Sequence, residues 1–142
     1  MNQRLCVTLG AGLLAVVFAV AQTGRTIQVD VTYEGLGTVN ASHKIYVALW
    51  DSSEFSGAPP AAVKPLDAKS GTVTFTNVQK VPAYVSAAYD PTGKWDAQSP
   101  PPSGSSVGMY SSSKPPTPDA IDVAPGKTAK VKLVFDDTHK VP

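Results

Sequence analysis

Residues 71–78 read GTVTFTNV, and no other stretch constrains the fold as tightly. Val73 and Phe75 alternate with Thr72, Thr74 and Thr76. A period of two puts the apolar set on one face of a pleated strand and the threonines on the other. The same alternation returns in Ile27, Val29, Val31 and Tyr33, set between Gln28, Asp30 and Thr32. It returns again in Ala129, Val131, Leu133 and Phe135 within Thr128 to Phe135. Lys44 to Trp50 (KIYVALW) is apolar on both faces, which predicts a central strand with Trp50 in the core. Ala83 to Tyr89 reads as a strand, and Ala120 to Val123 as a short one. Ala62 to Leu66 is a further short strand, kept near an edge by Pro65. Turn signals separate them: Gly35 and Gly37, the Ser/Gly/Pro-rich 51–60, Lys80-Val81-Pro82 and Pro125-Gly126. About seven strands at this spacing predict an all-β, antiparallel β-sandwich.

The start of the chain has a different character. Asn2, Gln3 and Arg4 precede an uncharged run from Leu5 to Ala21 that ends in Ala19-Val20-Ala21. This is the pattern of a secretory signal peptide over 1–21, cleaved before Gln22. The run is short for a membrane span, which needs roughly 20 residues. The expectation is a secreted or periplasmic protein with no membrane attachment after cleavage. The sandwich domain is expected over 22–136, with a loose tail at 137–142.

Without its first 21 residues the chain keeps 121 of its 142, enough for one domain. Arg4 leaves with the leader, so twelve basic residues become eleven and match the eleven acidic ones. A near-neutral chain without a basic run is not built for nucleic acid, which calls for clustered Lys and Arg. Cys6 is the one cysteine and falls in the leader. The remainder has no disulfide, thiolate nucleophile or cysteine metal ligand.

Candidate chemistry concentrates in the long Pro/Ser/Gly-rich loop 90–118, since segments of this length are usually functional. In Asp90-Pro91-Thr92-Gly93-Lys94-Trp95-Asp96, the oxygens of Asp90, Thr92 and Asp96 make a candidate calcium loop. Lys94 stands where another oxygen ligand is wanted, and Asp and Gly form turns on their own account. The residues favour an Asp-capped turn and no resident cofactor. Trp95, Tyr110 and Phe55 are candidate ligand-binding aromatics, because a flat ring offers apolar contact at little entropic cost. The alternative for the first two is a small core that pins the loop down. His43 and His139 stand far apart in sequence without further ligands nearby, which argues against a metal pair. Ser99-Pro100-Pro101-Pro102-Ser103 and Lys114-Pro115-Pro116-Thr117-Pro118 read as stiff polyproline segments.

The stretch GTVTFTNVQKVPAYVSAAYDPTGKWD resembles a recurring element of transthyretin-like, carboxypeptidase-regulatory-like sandwiches. It is most similar to a family of small secreted bacterial domains of uncharacterised function. In that family a strand ending V-x-F-x-N-V leads through a short turn to a strand, an Asp-rich loop and a Gly-aromatic-Ser segment. The counterparts here are Asp90 to Asp96, Val107-Gly108-Met109-Tyr110-Ser111 and the terminal pair Ala120 to Phe135. The resemblance spans most of 26–136 and implies a prealbumin-like, Ig-like sandwich and secretion. Thr92 and Lys94 replace asparagines of the family's loop. Transthyretin-like folds also include a hydrolase of a purine breakdown product, with a His/Arg cluster and a Tyr-Arg-Gly-Ser-like C-terminus. This chain ends Thr138-His139-Lys140-Val141-Pro142 and keeps only Arg25 beyond the leader, so that activity is not expected.

The expected function is a secreted, non-catalytic binding or accessory module, taking a glycan, peptide or partner protein at the 90–118 loop end. The alternative is a structural or assembly protein of the cell surface or an extracellular polymer, associating through sheet edges. No nucleophile, base or metal cluster suggests an enzyme.

Overall fold

The computed structural model describes residues 15–16 and 23–142. The leader read in 1–21 lies outside them but for two residues. The described chain is all-β, without a helix, and its seven strands form two sheets. The strands are β1 (Arg25–Tyr33), β2 (Ile45–Trp50), β3 (Ala62–Leu66), β4 (Ser70–Val78), β5 (Tyr84–Tyr89), β6 (Ser106–Met109) and β7 (Thr128–Phe135). One sheet has the order β4-β1-β7 and the other β3-β2-β5-β6.

The alternation sets which faces meet. Ile27, Val29, Val31 and Tyr33 of β1 are buried, as are Val73 and Phe75 of β4 and Leu133 and Phe135 of β7. They join Ile45, Val47 and Leu49 of β2 and Val85, Ala87 and Tyr89 of β5 in one cluster. Two sheets sharing one apolar filling make a β-sandwich-like arrangement. At one end the Tyr33 ring stacks on Tyr89 and tilts against Phe135, each with centroids 5.0 Å apart.

Asn77 is the local exception in β4. With φ at 53° it enters the left-handed region, where asparagine is among the better-tolerated side chains. Three steps of β4, Phe75 to Val78, oppose two of β1, Ile27 to Arg25. This bulge turns Asn77 outward and Val78 into the core.

Several expectations need correction. The sandwich is not wholly antiparallel, because β1 pairs with β7 in parallel register from Thr26↔Thr128 to Tyr33↔Phe135. Ala120 to Val123 is not a strand. Ile121 makes one isolated bridge to Ala83, and Pro118 and Pro125 bound the segment and deny it ladder donors. The long loop 90–118 is interrupted by β6. There Gly108 allows close approach to β7, since a Cβ at this position would meet the Phe135 side chain.

The tail is tied down rather than loose. The Asp137 carboxylate accepts hydrogen bonds from Tyr33 Oη (2.5 Å), Ser106 Oγ (2.6 Å) and the Leu36 amide (2.9 Å). Val107 donates to the His139 carbonyl, Val141 to that of Ser105, and Gly104 to that of Val141. The tail therefore runs beside β6, joined to it by one isolated bridge, Ser106↔Lys140, and by these hydrogen bonds.

Candidate functional site

The outward face of the four-stranded sheet is where these elements converge. In β2 the residues between the buried Ile45, Val47 and Leu49 are Tyr46, Ala48 and Trp50. All three line a cleft of about 900 Å³. Register explains its floor. Val63, Ala48, Ser86 and Met109 stand opposite one another across four strands, and Tyr46, Ala88 and Val107 form the next row. Small residues occupy the middle of the floor at Ala48, Ser86 and Ala88, and large rings flank it. Tyr46 and Trp50 are four residues apart, which separates their backbones by about 13 Å along the strand.

Each flanking ring is paired. Trp50 stacks on Phe55 of the 51–61 loop, with centroids 5.1 Å apart and planes at 29°. Its Nε1 donates to Ser86 Oγ at 2.8 Å. Tyr46 meets Trp95 edge to face at 5.0 Å and 82°. Trp95 Nε1 donates to the Ser99 carbonyl at 2.9 Å. Both indole N–H groups are thus satisfied inside the protein, and the rings offer the cleft their carbon surfaces. Pro59 and Pro60 on one side and Pro100, Pro101, Pro115 and Pro116 on the other complete the walls. Among the described residues that line the cleft, none is Asp, Glu, Lys or Arg.

The wall at Trp95 is held by Asp90. This carboxylate is buried, and Oδ1 accepts from the Thr92 amide (2.8 Å) and Thr92 Oγ1 (2.7 Å). Oδ2 accepts from the Trp95 amide at 2.9 Å. Burial pushes the Asp90 carboxyl up, but bonds from Thr92, Trp95 and Gly93 outweigh it and hold the pKa below the ordinary value. Gly93 closes the turn at φ 70°, with the Ser42 carbonyl 2.6 Å from where a Cβ would sit. The next turn belongs to Asp96, whose Oδ1 accepts from the Gln98 amide (2.9 Å) and Ser99 Oγ (3.3 Å). Between them Ala97 adopts φ 63° and is buried on the cleft side. A non-glycine residue there costs about 1–2 kcal/mol, so the turn geometry is imposed by its neighbours.

The calcium candidates therefore do different jobs. Asp90 and Thr92 organise one turn, and Asp96 faces another. Among the described residues no three His, Cys, Asp or Glu side chains gather as a metal site.

Of the three aromatic candidates, the fold brings Phe55 and Trp95 to opposite walls of one cleft. Tyr110 stays apart and packs partly buried against the core. Trp50 is a cleft wall and not core, because the second apolar face of β2 lies outside the sandwich. His139 also lines the cleft, whereas His43 packs beside Gly93. The floor residues Tyr46, Ala48, Ser86, Ala88, Val107 and Met109 were missed as a site. Their signal was the second apolar face of KIYVALW, which a strand with only one face in the core does not need. No family model, curated protein or solved structure matches this chain.

Proposed function

We propose that this is an exported, non-catalytic binding module of transthyretin-like build that holds an apolar ligand in the cleft over β2, β5 and β6. One observation carries the reading: about 900 Å³ of ring- and proline-walled space with no Asp, Glu, Lys or Arg in its lining and both indole N–H groups already used. That size and make-up suit a small-molecule site. A glycan would need several free donors and acceptors, so the walls favour an aliphatic ligand. The lining side chains that ionise are His139 and Tyr46, and among the described residues neither hydrogen-bonds a second ionisable group. This supports binding over catalysis.

Assembly through three of the four sheet edges finds less support, while the β4 edge is interrupted only by the bulge at Asn77. Pro65 interrupts the β3 edge, residues 139–141 take the β6 edge, and β7 presents Lys130 and Lys132. Such features discourage strand addition.

Titration with 1-decanol, followed by backbone amide shifts, tests the reading. Shifts are expected at Ala48, Ser86, Ala88, Val107 and Met109. The outer face of the other sheet, at Thr72, Thr74 and Lys130, stays still. Unmoved floor amides, or shifts spread equally over both sheets, would overturn it.

A further inference from the structure

The apolar cleft has one polar point in the middle of its floor. Ser86 of β5 stands between Ala48 and Met109 in the row that crosses the four strands, so apolar surface lies on either side of it. Its side chain is partly buried and lines the cleft. Ser86 Oγ accepts from Trp50 Nε1 at 2.8 Å, and among the described residues its own O–H donates to nothing. A serine hydroxyl has one hydrogen to give, so this donor is unspent. The other polar side chains of the lining differ. Tyr46 Oη is directed at the Trp95 carbonyl (3.4 Å), and Ser99 Oγ is given to Asp96. Ser56, Gln98 and His139 are exposed to water at the rim. A wholly aliphatic ligand over Ser86 would take that hydroxyl out of water and leave it unpaired, which opposes binding. A ligand oxygen above it removes the penalty. An oxygen that brings no hydrogen of its own fits best, because the floor offers nothing to receive one. No Asp or Glu lines the cleft, and β2 and β5 are inner strands whose carbonyls are paired on both sides.

We infer that the ligand carries one uncharged carbonyl oxygen within its apolar chain, seated on the Ser86 hydroxyl. This rests on the apolar-cleft reading and adds to it the one polar atom of the ligand. Ser86 is a specificity-determining residue here. Burial of the chain supplies affinity through area removed from water. The hydroxyl sets which chains bind, because a donor already in place disfavours an analogue that lacks the acceptor.

The test compares dibutyl ketone with the alkene of the same shape, C=CH2 in place of C=O, in wild type, Ser86→Ala and Trp50→Phe. Affinity is read from tryptophan fluorescence, and the C=O stretch of the bound ketone from infrared difference spectra. Comparing the ketone-to-alkene affinity ratio between proteins cancels the different cost of taking the two probes out of water. Both probes should bind wild type. Ser86→Ala should lower the ratio by about three- to tenfold, the range of one neutral hydrogen bond. Trp50→Phe removes the N–H that Ser86 accepts but keeps the hydroxyl, so its ratio should not fall below that of wild type. The bound C=O stretch should lie lower in wild type than in Ser86→Ala, since accepting a hydrogen bond weakens the carbonyl. If both probes bind and the ratio is the same in wild type and Ser86→Ala, the carbonyl assignment falls and the apolar cleft stands. If neither probe binds, both fall together. If Trp50→Phe lowers the ratio as much as Ser86→Ala, the effect passes through the Trp50 wall, which also overturns the assignment. Should Ser86→Ala not fold, the wild-type stretch decides: a value below that of the ketone in hexane supports the assignment, and an equal value overturns it.

Discussion

Two kinds of residue hold this molecule, and they fail under different conditions. Phe75 is 2% exposed at the centre of β4, facing the opposite sheet. Phe75→Ala should cost about 3–5 kcal/mol through lost burial and the cavity left behind. Thr74 points the other way and is only partly covered, so Thr74→Ala should cost under about 1 kcal/mol. Urea melts of the two variants check this, and equal losses would contradict the assigned faces. Asp137 acts by charge. Bonds from Ser106, Tyr33 and Leu36 lower its carboxyl to about 2, from an ordinary 3.8. A depressed carboxyl stabilises the fold fully above its unfolded value and loses that contribution as pH falls through about 4 toward 2. Asp137→Asn should therefore cost about 1–2 kcal/mol at pH 7, allowing for its partial exposure to water. The gap between variant and wild type should narrow at pH 2.5. A constant gap across that range would mean that Asp137 contributes by shape and not by charge.

At the scale of elements, strands were legible where one face is core and the other is water. Residues 27–33 and 71–76 met that condition, and their alternation survives in the burial of every second side chain. The chain was less legible where the second face meets something other than water. β2 reads as apolar throughout, and period two alone does not distinguish a core face from a cleft floor. β6 was hidden for a related reason: its four residues, Ser106 to Met109, are too few to display a period. The parallel pairing of β1 with β7 depends on contacts a hundred residues apart, which local pattern does not encode. The tail is the clearest such case, because its anchor Asp137 binds Tyr33 across 104 positions. Its pairing to β6 makes a prediction of its own. Deleting residues 139–142 removes the carbonyl acceptors of Val107 and Gly104. Hydrogen exchange at those two amides should speed up by about fivefold, at roughly 1 kcal/mol per lost bond. Protection at Val29 and Val47 in the sheet centres should change far less. Unchanged protection at Val107 would show that the tail does not pair in solution.

For the whole molecule, one sheet does two tasks. Its inner face completes the core through Ile45, Val47, Leu49 and Val85, while its outer face carries the cleft. The three-stranded sheet has a plainer outer face, mostly threonine, lysine, glutamine and aspartate with Val134 exposed among them. The asymmetry lies in the loops. Residues 51–61 and 90–118 both fold over the same sheet, and their prolines stiffen a rim above a floor of alanine and serine. Turn residues such as Asp90 and Gly93 were visible in the sequence as a turn. What the turn serves, the placing of Trp95 against Tyr46, was not, because that contact joins elements 49 residues apart.

The central claim is that the outer face of the four-stranded sheet is a ligand site. Isothermal titration of 1-decanol into wild type and Ala48→Phe, at several temperatures, tests it most directly. Ala48 sits mid-floor between Tyr46 and Trp50, so a phenyl ring there obstructs the middle of the cleft without entering the core. The expected wild-type result is saturable one-to-one binding with a negative heat-capacity change, the mark of apolar surface leaving water. Ala48→Phe should melt within a few degrees of wild type and bind at least tenfold more weakly. Equal binding by the two proteins, or a wild-type protein that gives no saturable heat, would contradict the claim.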